Sequence, residues 1–287
     1  VAGGTTALSG GTIWIPGHGL SELSGSEDKS LGKQYIDAIT SQAKDPDDVS
    51  ASSRRDMFLS KGAEMVSFMV KQGFRWSKTP SAFPDYYPDL PGARTSGGRT
   101  LNPSVFDARI LGDWYDFIQV AGNAPFVAKF EDFGISSRPR ASLKDLLKNW
   151  WMALKGIFYR VYLREPVTMG LSLTAQLLSI CRSHGNVRLY TQTRLVKLVL
   201  ENGAITGAIL SKAGSEIEVR ARMGVLLTTA GYARNQKLRA KHIGKSTDAE
   251  WSLTCRGGDT GIALRVGRTI GAATSQLDKI WGIPTMR

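Results

Sequence analysis

The chain has 287 residues, 42% apolar and 22% charged, which is enough for one large or two modest globular domains with a sizeable core. Its 37 Lys and Arg against 25 Asp and Glu give a net charge of +12, and this composition excludes a disordered chain, a fibrous repeat and a disulfide scaffold. No apolar stretch approaches the roughly 18 residues of a membrane-spanning helix. Residues 1–100 are neutral, whereas 101–200 and 201–287 carry +6 each. Such an excess points to an anionic ligand or surface, or to solubility alone. No run of Lys and Arg exceeds two residues, so no nucleic-acid partner is expected. Cys181 and Cys255 stand apart, outside any CxxC, and favour an intracellular, reducing compartment. His18, His184 and His242 lie too far apart in sequence to suggest a metal site or a triad.

In chain order, the first thirty residues read as a Gly/Ser/Thr-rich loop around Thr12-Ile13-Trp14-Ile15-Pro16. Residues 30–45 and 50–73 read as helices; in the second, Met57, Phe58, Met65, Phe68, Met69 and Val70 recur at helical spacing and are expected in the core, with Gly73 as the stop. Thr79 to Pro103 is rich in Pro and Gly and is expected to be irregular. Residues 142–164 form an amphipathic helix ending before Pro166. In it Trp150, Trp151, Phe158, Tyr159 and Tyr162 alternate with Lys148, Lys155, Arg160 and Arg164. A core helix with solvated basic edges is the preferred reading, and a helix on a membrane surface (144–164) the alternative. A further helix spans 168–183, closed by His184-Gly185. After Gly185 the pattern turns to strands at 187–190, 195–200, 204–210 and 216–219, with Asn202-Gly203 as a hairpin turn. The apolar run Gly224 to Thr229 suits a buried parallel strand.

The densest chemical signal lies in Gly3 to Thr12, four glycines and four hydroxyl residues in ten positions. Such a loop lets backbone N–H groups approach an anion without obstruction, with hydroxyls as further donors; a flexible turn is the plain alternative.

The run from Gly3 to Pro16, GGTTALSGGTIWIP, resembles a segment of the fumarate reductase/succinate dehydrogenase-type FAD-binding flavoproteins. With Pro84-Asp85-Tyr86-Tyr87-Pro88-Asp89-Leu90-Pro91-Gly92 it resembles the 3-ketosteroid delta-1-dehydrogenase branch in particular. The helix from Gly170 to Gly185, the stretch Thr193 to Gly207, and Gly224 to Asn235 resemble further motifs of that family in its order. So do Gly257-Gly258-Asp259-Thr260-Gly261, Gly271-Ala272-Ala273 and Trp281-Gly282-Ile283-Pro284.

The resemblance implies an α/β fold: a FAD-binding, Rossmann-like domain of the glutathione-reductase type, with an antiparallel β-meander and helical insertions. It implies domains at 1–275 (insertion about 47–165, meander about 193–220) and at 276–287, the start of a substrate-binding cap. The GxGxxG unit and acidic residue that hold the dinucleotide in such proteins are not in the chain, which opens on Val1 without Met. The expectation is therefore an incomplete chain, lacking the first βαβ unit and the catalytic cap.

Carried over by position, Thr5, Thr6, Ser9, Gly10 and Gly11 would lie along the FAD pyrophosphate and ribityl chain. Leu195 would meet the adenine edge, Ala230 (where the family pattern has glycine) and Gly231 would pass close to the dinucleotide, and Asp259 would face the ribityl chain. Tyr86 would be a catalytic tyrosine assisting the main base, with Tyr87 next if the register slips, since a phenol can donate to a ketone oxygen or relay a proton. The implied function is a FAD-dependent oxidoreductase that dehydrogenates a 3-oxosteroid or similar polycyclic ketone, with FAD bound non-covalently and an unknown electron acceptor. The alternatives are a fumarate reductase-like enzyme and an inactive remnant that binds no FAD.

Overall fold

The computed structural model describes residues 2–20, 25–42, 49–77, 83–118, 127, 132, 141–280 and 282. The end of the first predicted helix (43–45), part of the Pro/Gly-rich stretch (79–82) and Trp281, Ile283 and Pro284 lie outside them. The chain divides into two compact units, Thr6–Val187 and Val1–Thr5 with Arg188–Arg287.

A short helix α1 (Gly4–Leu8) occupies the glycine-rich start. In the Thr6–Val187 unit, helices α2 (Ser26–Gln42) and α3 (Val49–Lys71) pack together. Glu27 and Asp28 sit in the first turn of α2, where the helix dipole favours acids. Strand β1 (Ile13–Trp14) pairs antiparallel with β2 (Thr100–Leu101). Ile15, Val66, Phe74, Trp76 and Leu101 form one core cluster, with Ile13, Met69, Leu173 and Ile180 packed against it.

The apolar face expected for α3 is corrected here. Met57, Phe58, Met65, Phe68 and Val70 are exposed, while Leu59 and Val66 are buried. The inward seam runs through Gly62, where an added Cβ would come within 2.9 Å of Ile15 Cγ2. A small residue lets Ile15 approach closely, so packing selects this seam over the bulkier Met/Phe side. Phe58 still stacks on the Trp14 ring at 6.3 Å.

A second cluster, Ala108, Leu111, Ile118, Val167 and Ala175, joins the 3-10 stretch Ala108–Phe117 to helix α5 (Met169–Ser183) and to the pair β3 (Phe106–Asp107) and β4 (Pro166–Val167). The α5 interior is polar: buried Gln176 accepts from Arg75 N–H at 2.7 Å, and Ser172 Oγ donates to Ser104 O at 2.5 Å. Helix α4 (Leu143–Tyr162) is N-capped by Ser142, whose Oγ accepts from Asp145 N–H at 3.0 Å. The preferred core reading of this helix is overturned, because Trp150, Trp151, Leu154, Ile157 and Phe158 are all exposed and only Gly156 is buried.

In the other unit, β5 (Thr193–Glu201), β6 (Ala204–Lys212) and β7 (Ser215–Arg220) form the expected antiparallel meander. Asn202 and Gly203, with φ of 50° and 79°, make the hairpin turn read from the sequence. Leu198, Ala208 and Val266 centre its core. β7 is exposed along its whole length, and Arg220 pairs with Glu201 and Glu218, a charged edge of the kind that discourages edge-to-edge pairing. Helix α6 (Gln236–His242) follows, and α7 (Ile262–Thr269) packs on β5.

Two expected strands are corrected in this unit. Residues 187–190 are not in a strand, and 224–229 are in no strand and pair with none among the described residues. Val225 and Leu227 reach the meander core while Leu226 is 87% exposed, so one face of this run is covered instead of two. A parallel strand needs neighbours on which to place its backbone hydrogen bonds. Among the described residues every strand pair is antiparallel.

Candidate functional site

The Val1–Thr5 and Arg188–Arg287 unit contains a cavity of about 1250 Å³. Its walls are the approach to β5 from Leu189 to Leu195, the turn Gly257 to Gly261, and parts of α6 and α7. Four cations, Arg194, Lys237, Arg265 and Arg268, line it together with one acid, Asp259. The glycine turn fits this position for steric reasons. Gly257 and Gly261 have φ of +81° and +78°, and a Cβ on Gly261 would lie 2.5 Å from Leu238 Cδ1.

Asp259 is buried and itself adopts a left-handed φ of 49°. It accepts from Thr5 Oγ1 at 2.5 Å, and Thr5 Oγ1 accepts from Cys255 N–H at 3.2 Å. The Asp259 carbonyl accepts from Arg234 N–H, and Gly231 O accepts from Gly261 N–H at 2.9 Å. Asn235 caps α6 by accepting from Leu238 N–H and donates to Thr260 O. The motifs Gly231 to Asn235 and Gly257 to Gly261 are thus woven into one support for the cavity.

Of the predicted cofactor residues, Leu195 and Asp259 line the same cavity, and Thr5 is bonded to Asp259. At Leu195 the β5–β6 ladder is interrupted, with a register shift before Lys197; such bulges re-aim backbone groups. Ala230 is exposed at φ 59°, a conformation natural to the glycine of the related pattern and costing an L-residue about 1 kcal/mol. A Cβ on Gly231 would meet nothing within 4 Å.

Thr6, Ser9, Gly10 and Gly11 belong to the other unit, where they form a tight turn against α5. Ser9 Oγ donates to Thr6 O at 2.7 Å and accepts from Gly11 N–H at 3.1 Å, while Gly170 N–H donates to Ser9 O. A Cβ on Gly11 would lie 2.3 Å from the Met169 carbonyl carbon, and one on Gly170 would lie 1.9 Å from Thr6 O. Backbone-to-backbone packing therefore already accounts for Gly11 and Gly170.

Tyr86 is 74% exposed, and Tyr87 is exposed as well. Their loop is anchored by buried Asp85, which accepts from Trp14 Nε1 at 2.7 Å, Arg94 N–H at 2.8 Å and Arg99 Nη1 at 2.6 Å. Arg99, 1% exposed, also donates from Nε to Asp28 at 2.8 Å. Nearby, His18 Nδ1 accepts from Leu20 N–H at 2.9 Å, which leaves Nε2 to donate to Gly98 O at 2.8 Å. Burial holds the His18 pKa below the usual histidine value, against the opposing pull of the Gly98 carbonyl and Asp28.

Sequence reading missed the cavity cations and the Asp28–Arg99–Asp85 cluster. A signal existed for the first: Arg265 and Arg268 stand three apart, just after the Gly-Asp-Thr-Gly turn, so a helix starting there presents both on one side. For the second there was none, because its members are 71 and 14 residues apart.

The geometry fits an anionic dinucleotide: cations for a diphosphate, a carboxylate able to accept from ribose or ribityl hydroxyls, and glycines that let backbone come close. The chain is 27% identical over 293 residues to a 3-oxosteroid 1-dehydrogenase of Mycobacterium tuberculosis, covering 99% of this chain and 50% of that protein. It is 28% identical to a 4-oxocyclohex-2-ene-1-carboxylate 5-dehydrogenase of Sinomonas cyclohexanicum, covering 96% of this chain and 47% of that one. The crystal structure of 3-ketosteroid delta1-dehydrogenase from Sterolibacterium denitrificans, in complex with 1,4-androstadiene-3,17-dione, superposes with a TM-score of 0.80 at 28% identity, covering 99% of this chain and 51% of that one. The chain thus spans about half the length of the curated relatives it matches. The FAD binding domain family matches residues 1–287; the chain belongs to that family, and its cofactor is FAD.

Proposed function

We propose that this chain serves a FAD-dependent dehydrogenation of a 3-oxosteroid or a similar cyclic ketone, forming a carbon–carbon double bond beside the carbonyl. The observation that carries the reading is the likeness, over nearly the whole chain, to dehydrogenases whose names specify ring ketones. In this reading the α/β domain is Rossmann-like and spans residues 1–275, with 276–287 leading into a cap.

When bound, FAD supplies the acceptor for the hydride that leaves one ring carbon. The residues of this chain do the rest of the work assigned to it. Arg194, Lys237, Arg265 and Arg268 neutralise the diphosphate, Asp259 accepts from sugar or ribityl hydroxyls, and Thr5 fixes that carboxylate. Leu195, Ala230 and Gly231 offer backbone to the dinucleotide, and the family resemblance assigns Thr6, Ser9, Gly10 and Gly11 to its pyrophosphate and ribityl chain. Tyr86, whose phenol is open to solvent, donates to the ketone oxygen or relays the proton lost from the neighbouring carbon, beside a main base outside this set.

The test begins with absorbance near 450 nm after the protein is equilibrated with FAD; a colourless, FAD-indifferent protein sinks the reading. Turnover is then measured with a 3-oxosteroid and with 4-oxocyclohexanecarboxylate against an artificial electron acceptor, and with fumarate against a reductant. Steroid oxidation is the expected outcome, and fumarate reduction alone overturns it. Tyr86→Phe is expected to lower turnover about a hundredfold with FAD retained; unchanged turnover removes Tyr86 from the site.

A further inference from the structure

The loop 85–94 is tied down on both sides of Tyr86. Asp85 N–H donates to Arg94 O at 2.9 Å, and Arg94 N–H returns a bond to the Asp85 carboxylate at 2.8 Å, which closes the loop on itself. The same carboxylate accepts from Trp14 Nε1 and Arg99 Nη1, and Arg99 Nη1 also donates to Gly92 O at 2.9 Å. Helix α2 forms the floor. Tyr35 Oη accepts from Tyr87 N–H at 3.0 Å, and a Cβ on Gly92, at φ +75°, would lie 2.2 Å from Leu31 O. Asp85 is buried, yet Tyr86 and Tyr87 are exposed and none of the loop's apolar side chains is buried.

Burial does not account for so many ties. Each residue held in one conformation costs about 1–2 kcal/mol of backbone entropy, and a buried ion pair is by itself weak evidence of added stability. What the ties do fix is the backbone flanking one side chain. Asp85, just before Tyr86, is held through its N–H and its carboxylate, and Tyr87, just after it, through its N–H. Granted the assignment of Tyr86 to the ketone and proton step, on which this rests, we propose that Tyr35 and Asp85 are positioning residues for the Tyr86 phenol. They clamp the chain on either side of it, so that only the side-chain torsions of Tyr86 remain to be set when a ketone binds. A displacement of about 1 Å in such a group can lower a rate about a hundredfold, and a phenol on a loosely held surface loop would lose its place at the moment of proton transfer. Tyr35 suits this task because it is buried, stands on a helix and packs against the Trp14 ring at 5.8 Å, which fixes its hydroxyl.

The experiment is a double-variant cycle on the FAD-loaded protein, reading turnover of a 3-oxosteroid against an artificial electron acceptor. Tyr35→Phe removes one hydroxyl and keeps the buried ring. It is expected to lower kcat about tenfold with KM and flavin absorbance unchanged. In the Tyr86→Phe background the same substitution should lower kcat less than about twofold, because a residue that acts only through the phenol then has nothing to position. Amide exchange gives a readout besides activity: exchange at Tyr87 should quicken about fivefold in Tyr35→Phe. Asp85→Asn should show the same non-additivity with a larger loss of kcat, and where that variant does not fold, Tyr35→Phe decides alone. Equal losses in both backgrounds, an unchanged kcat, or a Tyr87 amide unprotected in the unsubstituted protein overturns the positioning role and leaves Tyr86 in the site. A Tyr86→Phe protein with normal turnover overturns the assignment of Tyr86 itself, and the positioning role with it.

Discussion

In the Thr6–Val187 unit, Arg99 is sealed from solvent between Asp28 and Asp85 at 2.8 and 2.6 Å, whereas in the other unit Arg194, Arg265 and Arg268 border an open cavity. The same residue type does opposite work. A buried guanidinium needs its counter-charges fixed beside it, since an unpaired buried charge is strongly destabilising; a cavity-lining one keeps its charge available for a ligand. Glycine divides similarly. Gly11 and Gly170 are required by backbone packing against each other's segments, while Gly231 and Gly257 would meet no neighbour with a side chain added.

The sharpest way to break this contrast is Arg99→Met, which removes the cation paired with buried Asp85, leaving it the Trp14 and Arg94 N–H bonds, and weakens the hold on Asp28. About 3–5 kcal/mol of stability should be lost in urea unfolding, and a loss below about 1 kcal/mol would show that the cluster does not secure the unit. Next comes Gly11→Ala, which meets both a φ of +69° and the backbone of Met169. It should cost about 2–3 kcal/mol, and a thermal melt that does not move would return Gly11 to a purely ligand-facing role. Arg265→Gln probes the other side of the comparison. Titrated by flavin fluorescence, it should weaken FAD binding about tenfold, close to 1.4 kcal/mol, with little change in unfolding midpoint; unaltered affinity would remove the α7 cations from the site.

The smallest expected effect is in pH. The folded pKa of His18 lies below its unfolded value, so the unfolded chain binds the extra proton first and stability falls as pH drops below about 6.5. The slope is at most about 1.4 kcal/mol per pH unit for one group. Burial pushes the Asp28 carboxyl up, but hydrogen bonds from the Gly17 N–H, Arg99 and Arg94 more than offset this and hold it below the usual carboxylate range. Its contribution is therefore present above about pH 4 and lost as pH falls through the depressed folded value. His18→Gln should flatten the upper step and leave the lower one; a persistent upper step would assign it to another group.

Much of the architecture was legible because it is local. The helix read over 168–183 is observed at Met169–Ser183, the one over 142–164 at Leu143–Tyr162, and the meander turns on Asn202-Gly203 as its φ preferences demand. Hydrophobic pattern misled where several faces were apolar. In α3 the Met/Phe stripe and the Leu59–Val66 seam are both plausible on spacing, and only the close approach of Ile15 over Gly62 selects one. The run 224–229 is apolar enough to be buried on both faces, yet strand formation depends on neighbours that sequence periodicity does not record. The glycine-rich start and Asp259 stood out as motifs, while the cations completing the cavity were hidden among 37 Lys and Arg of similar appearance.

By itself the sequence determined the helices and hairpins, the basic balance and the family resemblance, because each of these resides in short spacings or in the order of motifs along the chain. Only the tertiary structure decided which arginines are sealed and which are available, which side of α3 faces inward, and that the aromatic side of α4 faces outward. Those outcomes depend on what packs against each side chain, and a residue's partner is set by distances between segments far apart in the chain.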